Sequence, residues 1–299
     1  MRIVFIGNVK FSLEALKCLV KLEAEIVGIC TLKESEFNSD HIDLSSFAET
    51  HGISSFYAKD INSKDSINWI DSKKPDIIFC FGWSWLIKKN ILELAPLGVV
   101  GFHPTALPEN RGRHPIIWAL VLGLKKTAST FFFMDEGVDT GDIILQRCYP
   151  ITDKDNYATL LNKAFIECSN VLYDAILMFK NNTVNRISQS DIHPIGSHCS
   201  IRKHGDENLD WWQSSRSIFN FVRAICEPGP IARTFLHNSE IKIHKVELMD
   251  NAPNIVGNPG LIIGKENKNL IVKTLDSSVR VIGFEIEQNI REGDQFETK

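Results

Sequence analysis

The chain has 299 residues, 43% of them hydrophobic and 23% charged, with 33 Lys plus Arg against 37 Asp plus Glu and a net charge of -4. This is ordinary globular composition with material for a large core, and it argues against a disordered chain or a surface built to bind polyanions. No apolar run reaches the roughly 18 residues that a membrane span needs. The opening Met1-Arg2-Ile3-Val4-Phe5-Ile6-Gly7 reads as a strand, with no cleavable leader pattern behind it. The 7 cysteines stand singly, without a CxxC pair or an even disulfide framework. Together these features predict a soluble cytoplasmic protein and set aside secreted scaffolds and zinc ribbons.

Short β-branched or aromatic runs at 3–7, 25–30, 76–82 and 99–103 predict strands. Between them, apolar spacing of three and four predicts helices over 12–22, 44–51, 63–71 and 86–94. Such alternation favours an α/β fold: a Rossmann-like, mostly parallel sheet with helices on both faces. Two more strands are expected at 129–134 and 142–146, followed by a long helix over 156–180. Residues 181–205 are polar and without period, interrupted by Pro194 and Gly196. A short helix over 216–225 and Gly/Pro-punctuated strands at 240–247, 261–263, 270–275 and 279–285 then suggest a small open β-barrel-like C-terminal domain. The expected organisation is a catalytic domain over 1–185, a linker over 186–203 and a β-rich domain over 204–299.

The first strand-to-helix turn, Gly7-Asn8-Val9-Lys10-Phe11-Ser12, has one glycine, so the three-glycine dinucleotide fingerprint is absent. It reads either as an anion-binding helix N-terminus with Asn8, Lys10 and Ser12 as donors, or as a plain turn with Ser12 as N-cap. Two later blocks are richer. In Gly101-Phe102-His103-Pro104-Thr105-Ala106-Leu107-Pro108-Glu109-Asn110-Arg111-Gly112-Arg113-His114-Pro115, a histidine ends a predicted central strand, where open α/β sheets place their ligands. It reads equally as a hydrogen-bonded structural histidine, and Arg111, Arg113 and His114 as a solvated loop or an anion site. Met134-Asp135-Glu136-Gly137-Val138-Asp139-Thr140-Gly141-Asp142 is an acidic turn, either solvent-facing or the source of a catalytic acid.

Taken together, the two blocks resemble the 10-formyltetrahydrofolate-dependent formyltransferases. That family includes methionyl-tRNA formyltransferase, glycinamide ribonucleotide transformylase and the sugar-nucleotide N-formyltransferases. The resemblance covers roughly residues 1–180 and extends into the tail through Arg202-Lys203-His204-Gly205-Asp206-Glu207-Asn208-Leu209-Asp210-Trp211 and Ile218-Phe219-Asn220-Phe221-Val222-Arg223-Ala224. It implies that His103 and Asp139 are catalytic. It also implies that N10-formyltetrahydrofolate is the co-substrate, held by Trp83, Trp85, Leu86 and Ile87 and by Met134, Asp135, Glu136, Gly137 and Val138. Asn8, Lys10, Pro104, Arg111, Arg113 and His114 are then the expected substrate contacts, and no metal is implied. The chain departs from the family at one point: the family's Asn-x-His reads Gly101-Phe102-His103 here, which removes an oxyanion donor. One such donor is typically worth about 10²–10³ in rate. Asn110 is a candidate replacement.

The chemistry suits the surviving residues. An amine attacking a formyl carbon develops an oxyanion and must lose a proton, tasks for an imidazolium and a carboxylate. The tail, residues 200–299, carries 13 Lys plus Arg and 14 Asp plus Glu, so it does not read as a nucleic-acid platform. With that platform set aside, the resemblance implies a UDP- or dTDP-linked amino-deoxy sugar as the favoured substrate, in cell-surface glycan biosynthesis, and a homodimer. Methionyl-tRNA formyltransferase, or a non-catalytic folate- or nucleotide-binding relative, is the alternative.

Overall fold

A computed structural model describes residues 1–35, 40–253, 255–285 and 289–298. In chain order the elements are β1 (Arg2–Ile6), α1 (Lys10–Lys21), β2 (Glu25–Thr31), α2 (Ser45–Thr50), β3 (Ser55–Tyr57), α3 (Lys64–Ser72), β4 (Ile77–Cys80), α4 (Lys89–Leu92) and β5 (Val99–His103). There follow β6 (Arg111–Gly112), α5 (Pro115–Val121), β7 (Lys126–Phe133), β8 (Ile143–Pro150), α6 (Tyr157–Lys180), α7 (Gln189–Ile192), β9 (His198–Cys199) and α8 (Ser215–Ala224). The chain closes with β10 (Ala232–Leu236), β11 (Ser239–Leu248), β12 (Ile262–Glu266), β13 (Asn269–Lys273) and β14 (Ser278–Glu285).

The chain divides into two compact units that alternate along the sequence. The first holds 1–112, 128–149 and 163–199; the second holds 113–127, 150–162 and 200–299.

The first unit is built on a seven-stranded sheet in the order β3-β2-β1-β4-β5-β7-β8. The β1, β2, β3, β4 and β5 pairings are parallel, and β7 runs antiparallel to β5. Successive side chains of a strand point to opposite faces, and here both faces are covered, which is why the strands read as continuous apolar runs. Ile3, Phe5, Phe79 and Phe131 face a core shared with Leu16 and Leu19 of α1 and with Val171, Leu172 and Ala175 of α6. Val4, Ile6, Ile78 and Val99 face the other core, with Ile70 of α3 and Ile91 of α4. The strand order reverses between β1 and β4, so the carboxyl ends of these strands and of β5 border the crevice where such sheets bind ligands.

The second unit contains a five-stranded antiparallel sheet in the order β10-β11-β14-β13-β12, with α8 against β11. Helix α5 packs on α8. Arg223 of α8 donates to the carbonyls of Thr152 and Asp155 at 2.7 and 3.1 Å, tying in the second of the unit's three segments. Trp211 is fully enclosed, stacks on Phe296 at 5.5 Å and donates its indole N–H to Thr234 Oγ1 at 2.9 Å, while Trp212 is exposed. Trp211→Ala is expected to cost about 3–5 kcal/mol of stability, read as a fall in the urea midpoint. Trp212→Ala should leave that midpoint in place.

The structure also departs from the sequence-based elements. Ser12 is not the N-cap of α1 but sits a turn inside it: Val9 is the cap, and Ser12 Oγ accepts from Val9 N and donates to Phe81 O. The helix expected over 86–94 shrinks to α4, because Ile87 turns into the core and the residues before it form a loop. Strands β3 and β10 and helix α5 are additional elements. Among the described residues, no helix is long and apolar enough to cross a membrane.

Candidate active site

His103 ends β5, pairs with Thr130 of β7 and is only 5% exposed. Its Nε2 lies 2.9 Å from Asn110 O, and a carbonyl can only accept, so that nitrogen carries a proton. Its Nδ1 lies 3.6 Å from Asp139 Oδ2. This is close enough for charge pairing and too long for a settled hydrogen bond.

Both partners of His103 are presented by turns that need unusual backbone. Asn110 and Asp139 adopt left-handed φ values of 58° and 53°, a conformation Asn and Asp tolerate better than most residues. Gly112 has φ +94°, and a Cβ there would meet Cys199 O at 2.8 Å, so only glycine suits the short parallel pairing of β6 with β9. Its N–H donates to Asp139 Oδ2 at 2.9 Å. The acidic turn is self-braced, since Asp135 Oδ1 accepts from Gly137 N and Thr140 Oγ1 at 3.0 and 2.6 Å.

The remaining expected site residues distribute as follows. Trp83 and Met134 pack against the same apolar cluster, and Trp83 and Trp85 have ring centroids 5.4 Å apart. Trp85, Leu86 and Val138 are exposed, and Glu136 lies on the surface beside Val138, whereas the Ile87 side chain belongs to the core. Trp83 Nε1 is buried with no hydrogen-bond partner among the described residues. Exposed apolar side chains beside an unused indole donor suit a flat heterocycle that stacks and accepts a hydrogen bond. These loops therefore fit the pterin of a formyl-folate.

Lys10 is exposed and Pro104 half-buried. Arg113 and His114 belong to the second unit, where partial burial, Arg113 and Arg202 push the His114 pKa down. That direction keeps the ring neutral at pH 7, so it adds no fixed positive charge. Two expected substrate contacts turn inward instead. Asn8 is wholly enclosed, and Arg111 is buried with Nε and Nη2 on Gln189 Oε1 at 3.0 and 2.7 Å. The Asn8 Oδ1 and Nδ2 have no hydrogen-bond partner among the described residues, whereas a guanidinium whose fork is already filled is not an open anion site. The candidate replacement donor, Asn110, has its Oδ1 3.8 Å from Cys199 Sγ.

Gly101 lies mid-strand in β5, and a Cβ there would meet Phe132 Cζ at 2.8 Å and Met134 Cγ at 3.0 Å. The space an amide at 101 would need is filled by a tight apolar cluster of Phe132, Leu107, Ile143 and Met134. Gly101→Asn is therefore expected to cost about 1–3 kcal/mol by overpacking without raising turnover. Thermal melting and a turnover assay on the same preparation check both parts.

Gln189 is the residue that sequence reasoning missed. It sits in the polar stretch without period, is 3% exposed, and donates Nε2 to the carbonyls of Asp139 and Gly141 at 2.8 and 2.7 Å. No composition or spacing signal marks it; only the tertiary contacts do.

Residues 1–176 match the family model described as Formyl transferase, and residues 202–296 the one described as Formyl transferase, C-terminal domain. The methionyl-tRNA formyltransferase of Ruminiclostridium cellulolyticum is 27% identical over 295 residues, covering 97% of this chain and 94% of its own. That of Thermodesulfovibrio yellowstonii is 30% identical, covering 94% and 89%. Among solved structures, the sugar 3N-formyl transferase WlaRD, in the presence of dTDP and 5-N-formyl-THF, superposes with TM-score 0.71 at 20% identity, covering 100% of this chain and 98% of its own. The N-formyltransferase from Helicobacter canadensis, in complex with folinic acid and dTDP-3-aminofucose, gives TM-score 0.70 at 18% identity, covering 95% and 99%. The sheet with its strand-end histidine, the acidic turn folded against it and these matches agree: the chain belongs to the formyl transferase family, one-carbon transferases that draw on a formyl-folate co-substrate.

Proposed function

We propose that this protein formylates the amino group of a UDP- or dTDP-linked amino-deoxy sugar, with His103 and Asp139 carrying the chemistry. The observation behind the chemistry is their juxtaposition, Nδ1 to Oδ2 at 3.6 Å, at the carboxyl end of β5. The formyl-folate, when bound, supplies the electrophilic formyl carbon. Trp83, Trp85, Leu86 and the backbone of Ile87 on one loop, and residues 134–138 on the other, would hold its pterin. The hydrogen bond from Nε2 to Asn110 O fixes the plane of the imidazole. A proton on Nδ1 then serves the formyl oxygen, where negative charge develops as the amine attacks. Asp139, its carboxylate oriented by the Gly112 N–H, stabilises the imidazolium, takes the proton that the amine loses as the new C–N bond forms, and gives it to N10 as the bond between N10 and the formyl carbon breaks and tetrahydrofolate leaves. Because residue 101 brings no side-chain donor, charge on the formyl oxygen falls to His103.

The substrate class rests on charge. Residues 200–299 hold 13 Lys plus Arg against 14 Asp plus Glu, which does not favour contacts to many phosphates. A nucleotide sugar needs only a few cations: within the first unit the candidate contacts are Lys10 and Pro104, and within the second Arg113 and His114. The methionyl-tRNA reading keeps one observation in its favour, the 27–30% identity to such enzymes over nearly the whole chain.

The deciding assay follows tetrahydrofolate release from N10-formyltetrahydrofolate against UDP- and dTDP-amino sugars, with methionyl-tRNA alongside. Turnover with one sugar and none with the tRNA is the expected result. Turnover with the tRNA alone overturns the sugar assignment, and silence across the panel despite folate binding overturns catalysis.

A further inference from the structure

Asp139 sits in left-handed backbone with its carboxylate turned toward His103, and its own turn does not explain what holds it there. The hydrogen bonds of Asp135 brace residues 135–140 against one another and leave the main chain at 139 and 141 to be anchored elsewhere. The anchor is Gln189. Its Nε2 donates to Asp139 O and Gly141 O, while its Oε1 accepts from Nε and Nη2 of Arg111. This pattern fixes which way the amide faces. A flipped amide would set its NH2 against a guanidinium and its oxygen against two carbonyls. The guanidinium also polarises the amide, strengthening the two N–H donations on its far side. Arg111 is itself held, its backbone N donating to Ser197 O at 3.0 Å and its Nη1 to Ile195 O at 3.4 Å. The next residue, Gly112, carries the N–H that binds the Asp139 carboxylate. Arg111 and Gly112 therefore grip Asp139 from both ends, Gly112 directly at the carboxylate and Arg111 through Gln189 at the main chain.

We propose that Gln189, locked by Arg111, is a positioning residue that seats the Asp139 carboxylate against His103. The proposal rests on the reading of His103 and Asp139 as the reacting pair. It gives Arg111 a task inside the protein in place of a grip on substrate.

The test compares the full-length wild type with Gln189→Met, Gln189→Glu and Arg111→Met. Gln189→Met removes the donors at similar size. Gln189→Glu keeps an acceptor for Arg111 and sets an oxygen against the two carbonyls. The first readout is hydrogen exchange at the Gly112 amide, which reports directly whether the Asp139 carboxylate is seated. In Gln189→Met it is expected to accelerate at least about tenfold, while amides of β1 and β4 stay within about twofold. The second readout is steady-state turnover. A misplaced catalytic group costs on the order of 10² in kcat, with KM for formyl-folate and for the amine substrate close to wild type. If Gln189→Met does not fold, Gln189→Glu decides by the same two measurements. Wild-type kcat with unchanged Gly112 exchange in either folded variant overturns the proposal. So does an Arg111→Met variant that raises KM for the substrate and spares kcat, which would return Arg111 to substrate binding. If the wild type shows no formyl transfer, Gly112 exchange still judges the clamp, and the functional reading fails separately.

Discussion

Asp139→Asn and His103→Asn are each expected to lower kcat by about 10³-fold or more, the combined scale of losing proton transfer and charge stabilisation. Asp139→Asn is the cleaner of the two. Asparagine tolerates the left-handed φ of 53° at this position, and its side-chain oxygen still accepts from the Gly112 N–H. The backbone geometry survives and only the charge is lost. His103→Asn removes the ring, and its shorter amide reaches no further than the Nδ1 or Cδ2 position, so Asn110 O also loses the donor that Nε2 supplied. Because the two residues act as a unit, the double variant should be hardly worse than the poorer single one. Single-turnover formyl transfer, with circular dichroism to verify folding, checks all three. Turnover near wild type in either single variant would refute the assignment.

Gly141→Ala should be the most damaging single methyl group in the first unit. A Cβ at this position would lie 1.7 Å from Phe133 O, a backbone atom that no rotamer change can move aside. The turn after β7 must open, and it carries both the Gly141 carbonyl bound by Gln189 and, two residues earlier, Asp139. The expected cost is about 3 kcal/mol, the upper end of ordinary overpacking, together with a fall in kcat that persists at temperatures where the variant is fully folded. Gly52→Ala is the control. It has open space around its Cβ position and only a left-handed φ of 64° to pay, about 1 kcal/mol. Urea denaturation of both variants separates collision from conformational strain.

The parts of the fold that were legible in the sequence share one cause. Strands β1, β4 and β5 are buried on both faces, so apolar residues persist without alternation and end sharply at glycine or His103. The parts that were not legible are those whose stability comes from neighbours. Strand β3 has three residues, two of them exposed, and exists because β2 offers an edge to pair with. Helix α5, Pro-Ile-Ile-Trp-Ala-Leu-Val, is short and apolar throughout, so it shows no helical period. The site divides in the same way. His103 and Asp139 were each ambiguous as a strand-end histidine and an acidic turn, and only the resemblance carried by the two blocks together singled them out. Gln189 did not stand out, since its meaning lies in Arg111 and Asp139, 78 and 50 residues away in sequence. Arg111 misled for the complementary reason. A guanidinium in a loop is indistinguishable from an anion site until its partners are known.

The threading of the second unit through three stretches of chain constrains how this protein can be cut or recombined. A fragment ending near residue 199 would still carry residues 113–127 and 150–162, yet α5 would have lost α8, and the Thr152 and Asp155 carbonyls would have lost Arg223. The tail is thus not a detachable appendage, and a chimera with a relative joined at a single crossover near residue 199 would set a tail from one parent against two stretches from the other. Exchange of this unit, whether by an engineer or by evolution, has to bring its inserted segments along, so changes in the tail and in those segments are expected to be inherited together.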